Sequence, residues 1–279
     1  MDEGAAFKIR FWGVRGAVPC PGAATVRYGG NTACVEVRCG ERLIIFDAGT
    51  GLRLLGNSLT GADRQIVGHI MLTHTHLDHI QGLPFFRPAY TGKNRFEFWN
   101  GHLRRQQRNL QEVLYTLMQR PFFPVPLDIM HSCIAFNDFD AGETLAPDPG
   151  IRLRTACLNH PGGATGYRLE FGGRAACYVT DTEHREGELD AAILELIADA
   201  DLVIYDATYT DDEYPRYRGW GHSTWQEGVR LCRAAGVRRL LAFHHDPDHD
   251  DDLLDRIAVE LDDALPGSLV AREGMQIEL

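Results

Sequence analysis

Six apolar runs in this chain end in a histidine or an aspartate: "RLIIFD" at Asp47, "HIMLTH" at His74, "RLRTACLNH" at His160, "RAACYVTD" at Asp181, "DLVIYD" at Asp206 and "RLLAFH" at His244. They are interleaved with stretches of helical period, among them "HLRRQQRNLQEVLYTLMQR", "ELDAAILELIADA", "TWQEGVRLCRAAG" and "LLDRIAVELDDAL". Strands that alternate with helices predict a layered α/β protein with largely buried sheets. In such proteins ligands gather beyond the carboxyl ends of the strands, where side chains project from a rigid frame. An aspartate after one strand needs no more explanation than a turn. Six endings of this type, three of them histidine, ask for more.

The densest of them is "HIMLTHTHLDHIQGLP", residues 69–84. Residues two apart in an extended chain point the same way, so His74 and His76 can hold one cation together. Asp78 and His79 follow in the next turn, placed to face a second cation beside the first. Nitrogen and carboxylate donors without sulfur suit zinc, with manganese or iron as other occupants. The remaining donors are expected from His160, Asp181 and His244, with Asp181 bridging the two histidine sets. Two divalent ions roughly 3.5–4 Å apart activate water and clamp an anionic transition state.

The chain of 279 residues fits one domain over 1–279, with an insertion at about 84–136. That segment reads as one basic helix followed by "PFFPVPLD", whose three prolines forbid regular structure. A net charge of −11 counts against wrapping long nucleic acid. A small anionic substrate remains compatible, since two bound cations invert the local field. Seven cysteines without a CxxC pair predict reduced, mostly core thiols. The acidic start "MDEGAAFKIRFWG" lacks the order of a signal peptide, and no apolar run approaches the ~18 residues of a membrane span. The expectation is a cytoplasmic protein without a membrane partner; its oligomeric state stays open, a homodimer included.

"THTHLDH", "NHPGG", "VTDTEH" and "AFHHD", in this order, resemble the metal-binding series of the metallo-β-lactamase-fold hydrolases. "FWGVRGAVP", "GGNTACVEV" and "DAGTGLRLLG" resemble the amino-terminal half of the ribonuclease Z and cyclic-nucleotide phosphodiesterase-like branch. The resemblance implies a four-layer αββα sandwich with the metals at one edge of the two sheets. It implies that His74, His76 and His160 hold one ion, that Asp78, His79 and His244 hold the other, and that Asp181 bridges. In "FHHD" strand alternation sends only one of His244 and His245 inward, and the family's strand-then-histidine pattern favours His244. Asp206 and His222, in "YDATYTDDEYPRYRGWGHSTWQEG", resemble the acidic residue and histidine of the ribonuclease Z-type phosphodiesterases. A carboxylate-supported imidazolium can supply the proton that a departing alkoxide needs. Asp78, Asp206 and His222 are therefore the expected catalytic set, and Ser223 or Thr224 is expected to cap the helix that follows.

Of the other polar residues, Asp47 is expected to orient a metal ligand by hydrogen bonding. His69, His102, His131 and His249 are expected to be structural or surface residues, and His184 is open. Arg104, Arg105 and Arg108 read as a solvated helix face. Phe122, Phe123 and Pro124 either line a base or apolar leaving group or pack in the core. The function expected is a dinuclear metal-dependent phosphodiesterase acting on a small or medium phosphodiester, a cyclic nucleotide included. A carboxylic ester, thioester or lactone hydrolase and a tRNA 3′-processing endonuclease are the alternatives. The chain carries no Gly/Pro-rich arm to grip tRNA, so nucleic acid is not favoured. A di-iron redox protein of this fold would replace His76 by Glu, and a non-catalytic module would have lost ligands.

Overall fold

Residues Phe7, Ile9 and Phe11 of the first strand are almost fully buried while Lys8 between them is exposed, the two-residue period of a strand with one face on a core. The same logic repeats through a computed structural model that describes residues 6–61 and 64–279. The first five residues of the acidic start lie outside the described residues. The strands are β1 (Phe7–Gly13), β2 (Cys34–Cys39), β3 (Arg42–Phe46), β4 (Val67–Leu72), β5 (Arg95–Asn100), β6 (Cys133–Asp138), β7 (Thr144–Leu145), β8 (Arg152–Leu158), β9 (Ala164–Phe171), β10 (Arg174–Val179), β11 (Leu202–Asp206), β12 (Leu240–Phe243), β13 (Leu269–Val270) and β14 (Gln276–Glu278). The helices are α1 (Gly51–Leu59), α2 (Leu77–Ile80), α3 (Leu110–Leu117), α4 (Ala191–Ile197), α5 (Trp225–Ala234) and α6 (Asp251–Ala264).

Two seven-stranded sheets result, ordered β14-β1-β2-β3-β4-β5-β6 and β13-β12-β11-β10-β9-β8-β7. In each, an antiparallel part passes into parallel strands, β3 to β6 in the first sheet and β10 to β13 in the second. The parallel register sets side chains level with one another: Val179 pairs with Tyr205, and Asp206 with Phe243. Asp181, Asp206 and His244 therefore leave the second sheet along one edge.

The inner faces meet in a core that includes Phe11, Val35, Ile44 and Phe46 from one sheet and Tyr167, Leu169, Tyr178 and Phe243 from the other. Phe46 stacks on Tyr178 across this interface, with ring centroids 5.1 Å apart. The Tyr167 hydroxyl donates to the Leu72 carbonyl at 2.6 Å, which ties β9 to the end of β4. The outer face of the first sheet buries Ile45, Ile70 and Phe98 against Leu52 and Leu55 of α1 and Leu110 and Leu114 of α3. The outer face of the second buries Val179, Val203 and Tyr205 against α4, α5 and α6. The layers run helix, sheet, sheet, helix, the αββα arrangement expected.

Two details add to the sequence reading. The segment 84–136, read as one basic helix before a proline-rich stretch, also carries β5, which pairs in parallel with β4 and β6 and so supplies part of the first sheet. "RFEFWN" was missed because only two side chains of the strand, Phe96 and Phe98, mark its buried face before the chain turns at Asn100. The long basic helix is also broken. Gln107 adopts a left-handed backbone with φ 56°, and α3 starts afresh with Asn109 as its cap, accepting from the Glu112 amide at 2.9 Å. Among the described residues no helix is long and apolar enough to cross a membrane, and all seven cysteines are free thiols.

Candidate metal centre

Three residues at strand ends, Asp47, Asp181 and His244, hold left-handed backbones with φ of 59°, 60° and 63°. A side chain beyond Cα makes this conformation costly, roughly 1–2 kcal/mol each. Each turns the chain sharply at the sheet edge and aims its side chain across the gap between the sheets. His74 follows β4 after the single residue Thr73, and α2 then brings Asp78 and His79 back against the same edge, both buried.

The donor atoms converge. His79 Nε2 lies 3.3 Å from Asp78 Oδ2, 3.2 Å from Asp181 Oδ2 and 3.2 Å from His244 Nε2. His244 Nε2 is 3.4 Å from both Asp78 Oδ2 and Asp181 Oδ2. A tetrahedral cation with bonds of about 2.0–2.2 Å sets its ligand atoms about 3.3–3.6 Å apart, so this quartet matches the edges of such a shell. Beside it, His160 Nε2 is 3.1 Å from His76 Nδ1, and Asp181 Oδ1 is 3.8 Å from the Nε2 atoms of both His74 and His160. The two oxygens of Asp181 thus face different histidine sets. The groups His74, His76, His160 and Asp78, His79, His244 each have their donor atoms within 4.8 Å of one another.

Hydrogen bonds on the far side of the His74, His79, His160 and His244 rings turn their other nitrogens toward the cluster. His79 Nδ1 donates to Asp47 Oδ2 at 2.8 Å, and His160 Nδ1 to the Gly221 carbonyl at 2.8 Å. Thr208 Oγ1 is 2.9 Å from Asp206 Oδ1, to which it donates, and 3.1 Å from His244 Nδ1, from which it accepts. Thr73 does the same between Asp47 and His74. His74 Nε2 is buried and has no hydrogen-bond partner, an orphaned acceptor that a cation would satisfy. Burial first, then the neighbouring histidines, push His74 well below the ordinary histidine range, and burial also lowers His76 and His160. Burial raises the carboxyls of Asp78 and Asp181, but the histidines around them, His79 and His244 foremost, overcome it and keep both ionised. Burial works against a charged His79, but the carboxylates of Asp181, Asp78 and Asp47 outweigh it and hold this ring well above the ordinary histidine range, so a cation bound there would displace its proton. Neutral imidazoles and charged carboxylates are the protonation states that ligate divalent cations, and these clusters of donors suit such an ion.

Next to this set, His222 Nδ1 donates to Asp206 Oδ2 at 3.0 Å, and its ring lies 5.0 Å from that of His244. Asp206 is wholly buried and also accepts from the backbone amides of Asp181 and Thr208. Burial opposes a charged His222, but the Asp206 carboxylate, with Asp181 and Asp78 behind it, lifts it to about 9. A group so placed holds a proton at neutral pH beside the metal-suited cluster.

The structure brings His74, His76, Asp78, His79, His160, Asp181, Asp206, His222 and His244 to one place. His245 points away, donating from Nε2 to the Ala271 carbonyl at 2.8 Å. Thr224 caps α5, accepting from the Glu227 amide. His184 packs on Tyr214 with centroids 4.0 Å apart and bonds Ser223 at 2.8 Å, beneath the cap. His102 is buried next to the site, where its Nε2 meets Thr75 Oγ1 at 3.2 Å, and burial lowers it to about 4. Sequence reasoning missed the loop after β1. Ala17 donates its amide to Asp78 Oδ2 at 2.8 Å, and a Cβ on Gly16 would stand 2.3 Å from the His244 ring. Arg15, fully buried, pins that loop through the carbonyls of Gly29, Asp246 and His249. It also missed Gly221, whose backbone presses on His160. Its signal in the sequence was a glycine directly before His222, and in the structure that glycine holds φ 88°.

The sequence profile of the beta-lactamase superfamily domain matches residues 42–245. The chain is 26% identical to the Ribonuclease Z of Haloarcula marismortui, over 96% of this chain and 96% of that protein. In fold it is similar to the metallo-beta-lactamase fold protein YhfI of Bacillus subtilis, with a TM-score of 0.73 at 18% identity, covering 99% of this chain and 100% of that one. It is also similar to a diphosphatase from the PhnP family, with a TM-score of 0.69 at 19% identity over 98% and 97% of the two chains.

Proposed function

Because the chain belongs to the beta-lactamase superfamily and shares the metallo-beta-lactamase hydrolase fold, we propose that it is a dinuclear metal-dependent phosphodiesterase acting on a small or medium phosphodiester. His74, His76 and His160 would hold one divalent ion and Asp78, His79 and His244 the other, with Asp181, whose two oxygens face the two histidine sets, shared between them. The donor set, without sulfur, favours zinc, with manganese or iron as substitutes. Bound there, the ions supply a nucleophile from water and neutralise developing negative charge. The chain's own part is orientation and proton supply. Asp47, Thr208 and the Gly221 carbonyl fix three imidazoles, and the Ala17 amide fixes Asp78.

The observation that carries the phosphodiester reading is the Asp206–His222 pair. An alkoxide leaving phosphorus is helped by a proton from such a group, and the placement of the pair in the sequence resembles that of the ribonuclease Z-type phosphodiesterases; an alkoxide leaving a carboxylic ester would use the same proton, so the substrate assays decide between the two. Side-by-side assays of bis(p-nitrophenyl) phosphate, a cyclic nucleotide, a thioester and a lactone, with zinc and manganese compared, test it. Turnover of the carboxylic esters alone would overturn it.

The Ribonuclease Z relative favours a second reading, a tRNA 3′-processing endonuclease. The net charge of −11 and the lack of a Gly/Pro-rich arm in the sequence weigh against it. Cleavage of a precursor tRNA at its 3′ end, in the same assay series, would decide for it.

A further inference from the structure

The wall that carries His76 and Asp78 has a second face. Leu77, between them in sequence, is 65% exposed and lines an apolar cleft of about 440 Å³ together with Phe85, Phe122, Phe123 and Val113. Phe85 and Phe122 are 54% and 74% exposed, so three of the chain's large exposed apolar side chains gather at this one place. Phe85 meets Phe123 edge to face with centroids 5.9 Å apart, which gives the cleft an aromatic wall. Thr75 and Leu77 flank the exposed His76, so an occupant of the cleft touches the residues on either side of a metal-suited histidine. The volume is that of a small-molecule site, and an exposed apolar concentration of this kind marks a binding surface.

We propose that the cleft seats an aromatic substituent of the substrate, attached next to the bond that is hydrolysed, and that Phe85 and Phe122 determine specificity for it. This rests on the reading that the site holds an anionic ester at its cations. The short helix α2 supports it: the helix turns Asp78 and His79 inward while Leu77 faces the cleft, so the anion and the ring are received by adjacent residues of one element. The sequence "PFFP" at 121–124 left Phe122 and Phe123 between core packing and substrate contact. Phe123 packs partly against the core, whereas the largely exposed Phe122 is available to a ligand.

The test is calorimetric titration of the full zinc-loaded chain with methylphosphonate, phenylphosphonate and benzylphosphonate, for the native protein and for Phe85→Ala, Phe122→Ala and their combination. Burial of one ring predicts roughly 10- to 100-fold tighter binding of the aryl ligands than of methylphosphonate. The preference should fall toward unity in the combined variant. Equal affinities in the native protein, or a preference that survives in the combined variant, would overturn the proposal. Sedimentation of the native protein and the combined variant gives an independent check: a dimer that the two substitutions dissolve would assign the cleft to a second copy instead. Binding needs no turnover, so failure of the phosphodiester assays leaves this result readable by itself.

Discussion

Asp47, just after β3, and His79 of α2 are joined by a 2.8 Å hydrogen bond, and that bond points the other ring nitrogen of His79 at Asp78 and Asp181. The aspartate also accepts from the Tyr178 hydroxyl at 2.9 Å and from the Thr73 amide at 2.8 Å. It is held on three sides, so the ring it holds has one orientation.

Asp47→Asn should therefore keep the fold and weaken cation binding by the ~10- to 100-fold typical of a lost orienting carboxylate. Competition against a chelator measures it; an unchanged affinity would remove Asp47 from this role.

Asp78→Asn removes a charged donor from the quartet around His79 and His244. Metal content should fall from two ions toward one, and turnover should be lost. Elemental analysis showing two ions in a fully active variant would refute the assignment of Asp78.

His222→Ala leaves the seven proposed ligands, His74, His76, Asp78, His79, His160, Asp181 and His244, in place. Two ions should remain bound while phosphodiester cleavage drops by the ~10²–10⁴ expected for a missing proton donor. A substrate whose leaving group needs no proton, such as a p-nitrophenyl ester, should lose less. Equal losses on both kinds of substrate would assign His222 a structural part instead.

Gly16→Ala places a methyl group 2.3 Å from the His244 ring. The ring must move, at a cost of about 1–3 kcal/mol for overpacking, and the ion beside His244 should bind more weakly. Thermal melting with and without zinc checks this. The native increment in melting temperature, retained in the variant, would show that the loop yields instead.

Much of this site was legible in the sequence because strands impose order on it. Asp47, His74, His160, Asp181, Asp206 and His244 each end an apolar run, and chain direction in an α/β layer puts such ends on a common edge. Alternation also limited the choice between His244 and His245 to one, and the turn at φ 63° sends His244 inward. What escaped has no spacing to betray it. Gly16, Ala17 and Gly221 act through backbone and through the absence of a side chain, and they reach residues up to 228 positions away, as Gly16 reaches His244. In the same way β5 was hidden in a segment whose prolines and basic residues drew attention to its irregular parts.

The division of donors between the two sheets has a mechanical meaning. His74, His76, Asp78 and His79 come from the first sheet's edge, and His160, Asp181 and His244 from the second's. His79 and His244 meet although 165 residues separate them in the chain. Cations held there would act as a staple through the sandwich, closing a loop for which a covalent cross-link is worth roughly 4–5 kcal/mol. The halves could then part only by releasing their ions, so resistance to unfolding and readiness to react would rise and fall together with metal supply.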